Sequence, residues 1–323
     1  MPDTAIPPNI TAYLKKRGAG SLWVIEGLSS RTFSGAVVIP SLAESATLPE
    51  TLESLSHNPP ELLERFLILV VVNQRTDASV EEKRDNMFTL SKLPFWKELY
   101  RLHNLSWVDA ASVGKELRVG DGVGLARKIG LDLSLKFLDY GQRDPILICL
   151  DSDTLVQPNY LPSLSAHFSS SSAGGGIIPY CHRKADEPAG QSAIDRYELF
   201  LRAYVLGLQI AGSPYAFHTV GSAMACRASV YVSSGGMNRR LAGEDFYFLQ
   251  QVFKTSGIEE VRGTLVSPSP RSSNRVPFGT GRSVGDMLKD GESRLMFYHP
   301  SVYSIVGDWI ECAKKNIEED ASS

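Results

Sequence analysis

The stretch ILICLDSDTLVQPNYL (146–161) sets a conflict inside one element. Ile146, Leu147, Ile148, Cys149 and Leu150 form a continuous apolar run, as a strand buried on both faces requires, yet the run ends abruptly in Asp151, Ser152 and Asp153. A turn at that exit can bring both carboxylates toward one ligand. Asp151 and Asp153 are hard oxygen ligands suited to Mg2+ or Mn2+, ions that keep positions for water and phosphate oxygens and neutralise a leaving diphosphate. For an isolated Asp-x-Asp the commoner alternative is a solvated turn capping the next helix. Position favours the ligand site, because this is the fourth strand exit of a strand–helix series.

The earlier exits establish that series. GAVVIPS (35–41) is a short apolar strand stopped by Pro40, and AESATLPETLESL (43–55) reads as a turn and an amphipathic helix. FLILVVVN (66–73) is a second buried strand with the polar exit NQRTD. A charged segment over about 80–101 tends to helix, LSWVDA (105–110) supplies a short strand, and the glycine-bearing GKELRVGDGVG (114–124) leads into LARKIGLDLSLKFL (125–138). Leu125, Ile129, Leu133 and Phe137 recur every four residues along one helix face. Such alternation predicts an open α/β sheet with its ligand crevice outside the carboxyl ends of the strands.

The later half departs from the pattern. SSSSAGGG (169–176) reads as a flexible connection, AIDRYELFLRAYVLGLQIAG (193–212) as a long helix, and VGSAMACRASVY (220–231) as a strand turning into a helix. LAGEDFYFLQQVFK (241–254) sets Glu244 and Asp245 before an amphipathic helix. A carboxylate there can cap the helix or take a proton from an attacking hydroxyl. SPSPRSSNRVPFGTGR (267–282) places Arg271, Arg275 and Arg282 among turn residues, a loop able to close over phosphates or to stay solvated.

Composition limits the function classes. The 33 basic and 36 acidic residues leave a net charge of −3, which supplies no overall field for nucleic acid. The four cysteines show no close metal spacing and read as reduced, structural thiols. Neither a secretory signal core nor an apolar membrane span is evident, so a soluble cytoplasmic protein is expected, with peripheral membrane contact and a homodimer both allowed.

Taken in order, VVIPSLAES, VVVNQRTD, GVGLARKIG, CLDSDT and AGEDFYF resemble the GT-A-fold nucleotide-sugar glycosyltransferases, most closely the broad family 2 group. The resemblance implies an α/β fold with a mostly parallel central sheet flanked by helices and a smaller acceptor-side subregion. The implied boundaries are an N-terminal extension (1–33), a GT-A domain (34–268) and a C-terminal loop and helix closing the active site (269–323). Within the GT-A domain the nucleotide-sugar half would cover about 34–160 and the acceptor half 161–268.

The family pattern Pro-x-x-Asn-Glu is met by Pro40 and Glu44, with Ala43 in place of the Asn. Asn73, Gln74, Arg75, Thr76 and Asp77 stand where the family has Asp-Asp-Gly-Ser-x-Asp, leaving Asn73, Arg75 and Asp77 as nucleotide-binding candidates. Ala126 and Arg127 follow Gly-x-x-x-Ala-Arg-Asn, Lys128 replaces its Asn, and Arg127 is a diphosphate candidate.

By resemblance, Asp151 and Asp153 hold Mn2+ or Mg2+ with the diphosphate, Asp245 is the general base of an inverting transfer, and Glu244 assists. Retaining relatives add a distal His ligand, for which His299 and His218 are candidates. The expected partners are a nucleoside diphosphate sugar and a hydroxyl-bearing small-molecule, glycan or lipid acceptor. A sugar nucleotidyltransferase is the second enzyme class, although no glycine-rich activation loop follows the first strand. A GT-A domain that binds sugar or nucleotide without turnover is the non-enzyme alternative.

Overall fold

Continuous apolar runs become the buried strands of one sheet. A computed structural model of the chain describes residues 6–28, 32–272, 279–291 and 295–322, with side chains described as far as 317. Its strands are β1 (Ile25–Glu26), β2 (Gly35–Ser41), β3 (Phe66–Asn73), β4 (Leu105–Ala110), β5 (Ile146–Cys149), β6 (Leu155–Val156), β7 (Gly175–Ile177), β8 (Met224–Arg227), β9 (Ile258–Glu260) and β10 (Val266–Ser267). Eight of them form a sheet in the order β1-β4-β3-β2-β5-β8-β7-β9, while β6 and β10 pair separately. All strands of the large sheet run in one direction except β1 and β8, which pair antiparallel to their neighbours.

The helices are α1 (Pro8–Arg17), α2 (Leu48–Ser56), α3 (Pro60–Leu63), α4 (Val80–Leu99), α5 (Val123–Ser134), α6 (Tyr160–Ser170), α7 (Pro188–Ile210), α8 (Ala228–Ser233), α9 (Glu244–Ser256), α10 (Thr280–Asp290) and α11 (Pro300–Ser322). Among the described residues no helix is long and apolar enough to cross a membrane. Two compact units result: residues 1–181 with 219–269, and residues 182–218 with 270–323.

The first unit contains the sheet. Every residue of β2 and β3 is buried, which explains why neither shows a polar alternation. Their register puts Val38 beside both Leu69 and Cys149, so the Asp-Ser-Asp turn leaves the sheet next to the exit of β2. α5 lies across β2 and β3 at a distance set by Gly130, where a Cβ would collide with the Val38 and Val71 side chains. All residues of α5 after its first are buried, including Arg127, Lys128 and Asp132, so its charges must find partners inside the protein.

The glycine run that enters β7 behaves differently from the flexible connection expected. Gly174, Gly175 and Gly176 are buried, and a Cβ on Gly175 would lie 2.5 Å from Val252 Cγ1. These glycines permit close packing of β7 under α9, a use of missing side chains that composition does not distinguish from mobility.

The second unit is helical. Ala193, Ile194 and Tyr197 of α7 pack with Val284 and Met287 of α10. α11 runs beside α7, with the Tyr303 ring filling the space over Gly207 and Gly307 meeting Ala211. Within this unit Glu198 accepts hydrogen bonds from the His182 backbone N–H at 2.6 Å and from the Arg202 guanidinium at 2.6 Å.

Candidate functional site

The exits of β2, β3 and β5 converge with the first turns of α5 and α9. Asp151 is followed by a turn in which the Thr154 N–H donates to the Asp151 carbonyl at 3.2 Å. Ser152 points inward, and its carbonyl accepts from the Thr51 hydroxyl of α2 at 3.1 Å. This anchor leaves Asp151 and Asp153, on either side of Ser152, half-buried. The alternation that looked misplaced in a core strand is the consequence of a turn pinned at its middle residue.

Arg127 joins the two acidic motifs. Its guanidinium donates through Nη2 to Asp151 Oδ1 at 2.5 Å and through Nη1 to Glu244 Oε1. Arg127 and Glu244 are both buried, whereas the Asp151 side chain is 35% exposed, so the bridge reaches from the interior to the ligand edge. Burial opposes the arginine charge, but the adjacent Asp151 sustains it and the pKa is raised. Gly221 leaves the required space: a Cβ there would come within 2.8 Å of Arg127 Cζ.

α9 begins at Glu244, after Gly243 in the left-handed conformation at φ 69°. A carboxylate on this first turn faces the positive end of the helix. Asp245 is half-buried beside Glu244, and its Oδ1 accepts the Phe246 N–H at 2.7 Å. Burial raises the Asp245 carboxyl above its ordinary 3.8; Arg127 draws it back, and Asp151 adds to the rise. Below the site, burial pushes the Cys149 thiol up to about 12, which keeps it protonated and unreactive at neutral pH.

The remaining strand exits are tied to one another through Asn86 of α4. Its side chain accepts the Ala43 N–H at 2.8 Å and donates to the Asn73 carbonyl at 3.2 Å and Gln74 Oε1 at 3.0 Å. α4 is started by a capping box between Ser79 and Glu82, which fixes the entry from which Asn86 is delivered. The Asn73 amide donates to the Ser41 and Val71 carbonyls, both at 3.1 Å. Ala43 adopts φ +51°, a conformation asparagine tolerates better than alanine.

Pro40 and Glu44 are buried beside this joint, with Glu44 accepting the Thr47 hydroxyl at 2.7 Å. Arg75 and Asp77 form an exposed ion pair with each other at 2.9 Å. No local pattern marks Asn86 or ties Gly221 to Arg127, because the partners Ala43 and Arg127 are distant in the chain.

Three other candidates fall in the second unit. Arg271 and His299 are in the second unit, where His299 Nδ1 accepts the Ser301 N–H at 3.3 Å at the start of α11. His218 is in the same unit, its pKa lowered chiefly by burial. Arg275 lies outside the described residues. Among the described residues no three His, Cys, Asp or Glu side chains converge in an arrangement that could hold a metal ion. The protein oxygens at the turn come from Asp151 and Asp153, a donor set that fits an ion completed by water and substrate phosphate.

No protein-family model matches the chain, and no curated protein matches its sequence. Solved structures do. S. aureus TarS 1–349 in complex with UDP-GlcNAc is similar with a TM-score of 0.50 at 14% identity, over 85% of this chain and 70% of that one. Glucosyl-3-phosphoglycerate synthase from Mycobacterium tuberculosis, in complex with Mn2+, uridine diphosphate and glucosyl-3-phosphoglycerate, gives a TM-score of 0.46 at 15% identity, over 93% and 87% of the two chains. In another crystal structure of TarS 1–349 the chain spans 60% of the length of its match, at a TM-score of 0.46 and 16% identity. The fold is that of the GT-A glycosyltransferases, and identities this low speak to the fold alone.

Proposed function

We propose that this protein is a glycosyltransferase that moves a sugar from a nucleoside diphosphate to a hydroxyl-bearing acceptor. One observation carries the proposal: a buried arginine binds both the carboxylate at the exit of β5 and the first carboxylate of α9. A helix cap and a solvated turn, the plain alternatives for these two motifs, need no such connection. The similarity to TarS, crystallised with UDP-GlcNAc, supports a nucleotide-sugar donor.

In this reading Glu244 is committed to Arg127 and serves to hold it, while Asp245 is the base. The acceptor oxygen forms a bond to the anomeric carbon, its proton passes to an Asp245 carboxylate oxygen, and the bond from that carbon to the diphosphate oxygen breaks. Inversion follows from attack opposite the leaving group. Asp151 and Asp153 would hold Mn2+ or Mg2+, which when bound supplies positive charge against the departing diphosphate. Arg127 holds Asp151 in orientation for that role.

A panel of nucleoside diphosphate sugars, assayed for nucleoside diphosphate release with Mn2+ or Mg2+, tests the proposal. At least one donor should turn over, and Asp245→Asn should slow it by about 10²–10⁴-fold, the range for a lost general base. Asp153→Ala should abolish turnover while the fold is retained. Pyrophosphate release from a nucleoside triphosphate and sugar phosphate would instead favour a nucleotidyltransferase. Donor binding without turnover would indicate a binding domain, a reading favoured by the Arg75–Asp77 pair at the altered β3 exit.

A further inference from the structure

Between α1 and the end of α8 lies a cleft of about 300 Å3, at the lower end of the sizes of small-ligand pockets. Tyr13 and Arg17 stand one turn apart on its α1 wall with Lys16 beside them, and Ser233, Ser234 and Gly235 form the opposite wall. Both walls are fixed. Tyr13 donates to Asp132 of α5 at 2.9 Å, while Gly235 and Gly236 turn the chain at φ 92° and 76° and let α1 come close. A Cβ on Gly236 would collide with the Tyr13 hydroxyl, and one on Gly235 would lie 2.7 Å from Arg17 Nη1. The Arg17 guanidinium therefore lies against a bare turn of backbone.

The cations of this cleft have no counter-charge. Among the described residues no carboxylate lines it, and neither Lys16 nor Arg17 makes an ion pair or donates a hydrogen bond. Basic residues in the last turn of α1 suit the helix dipole, but Lys15 meets that need from outside the cleft.

The serine wall holds donors in reserve. Ser233 Oγ donates to the Val230 carbonyl at 3.2 Å and Ser234 Oγ to the Tyr231 carbonyl at 3.0 Å. Each of those carbonyls also accepts a backbone N–H at 2.8 Å, from Ser234 and Gly236 respectively. Either hydroxyl can turn to a ligand oxygen and leave no carbonyl unpaired. Two uncompensated cations opposite two releasable hydroxyls match the several acceptor oxygens and the negative charge of a phosphate group.

We propose that this cleft binds the phosphate group of a small molecule, with Arg17 and Lys16 as its cationic contacts and Ser233 and Ser234 as hydroxyl donors. It uses none of the residues assigned to sugar transfer, and its volume leaves room for only a short carbon body beside the phosphate.

Titration calorimetry of the full chain without added metal, with inorganic phosphate and glycerol 3-phosphate as probes, tests it. At least one probe should bind saturably at roughly millimolar affinity or tighter, and the tighter of the two identifies free phosphate or a phosphomonoester as the ligand. Arg17→Gln should weaken binding at least about tenfold, as expected for a lost charged hydrogen bond, and Lys16→Gln should weaken it less. Lys15→Gln removes a charge one residue away but outside the cleft, and should leave binding within about twofold. Arg127→Met with Glu244→Gln should also leave it within about twofold, which separates this site from phosphate bound at the strand exits. Lys15, Lys16 and Arg17 are exposed, so thermal melts should show each single variant folded as the parent. Failure of both probes to bind saturably, or binding indifferent to Arg17→Gln, overturns the proposal. A loss as large in Lys15→Gln, or in the Arg127 and Glu244 pair, does the same.

Discussion

Arg127 and Lys128 are consecutive buried cations on one helix, and they turn to opposite purposes. Arg127 reaches Asp151 at the ligand edge and Glu244 at the start of α9. Lys128 reaches Asp132 at 2.9 Å and the Tyr13 hydroxyl at 2.8 Å, while the Tyr13 and Tyr231 hydroxyls donate to Asp132 at 2.9 and 2.7 Å. That second network pins α1 and α8 to α5, and all four of its side chains are buried. On the proposed function the two cations are distinguished by their partners, since one partner of Arg127 is a carboxylate at a strand exit that solvent can reach. Burial and charge alone do not separate the two.

Paired neutralisation should break this likeness most clearly. In Lys128→Met with Asp132→Asn, the cation and its counter-charge leave together and the tyrosine hydrogen bonds can persist, so stability should stay within about 2 kcal/mol of the parent and turnover should be retained. Arg127→Met with Glu244→Gln likewise removes no single charge alone and should fold, yet turnover should drop by roughly 10²-fold or more, because the electrostatic support of the reacting groups is gone. Thermal melts and nucleoside diphosphate release on the same samples compare them. Equal retention of turnover in both pairs would place Arg127 with Lys128 as a structural cation.

The pH profile sharpens the same contrast with a smaller effect. A base must be unprotonated, and burial raises Asp245 above its ordinary 3.8, so turnover should fall about tenfold per pH unit along an acid limb lying above that value. The folded chain also holds this proton more tightly than the unfolded one. Its contribution to stability is therefore greatest below the unfolded pKa and declines as pH rises through the folded one. The Tyr13 and Tyr231 hydroxyls beside Lys128 should add no limb, since burial lifts both well above their ordinary 10.0. A profile with no acid limb above 3.8 would remove Asp245 as the base.

Much of the fold was legible because β2, β3 and β5 are continuous apolar runs, and the Asp-Ser-Asp turn stands out at the end of one. Arg127 was legible only through its place beside Ala126 in a glycine-led motif. Its meaning depends on Glu244, 117 residues away, a contact that no local pattern encodes. Lys128 could not be sorted from Arg127 for the same reason: Tyr13 and Tyr231 come from opposite ends of the first unit. Glycine was misread where it packs, since Gly174 to Gly176 look like a flexible run until Val252 and Val230 are placed against them. Arg271 and His299 are candidates by residue type, and both fall in the second unit.

The smallest effect concerns Ala43, whose positive φ lies next to neither cation. Replacing it by Asn should raise stability by up to about 1 kcal/mol, because asparagine enters the left-handed region more readily. Turnover should be unchanged. Chemical denaturation of Ala43→Asn measures this, and a loss of stability would show that the Asn86 hydrogen bond to residue 43, at 2.8 Å in the parent, cannot survive the larger side chain.

On the proposed function, the Arg127 side of α5 serves a nucleotide ligand and the Lys128 side does not. Titration calorimetry of a nucleoside diphosphate panel with Mn2+ tests it most directly. The parent should bind at least one nucleotide, Arg127→Met with Glu244→Gln should weaken that binding at least about tenfold, and Lys128→Met with Asp132→Asn should leave it within about twofold, a difference near 1 kcal/mol between the paired variants. Equal weakening in both pairs, or a parent that binds no nucleoside diphosphate at all, would contradict the account.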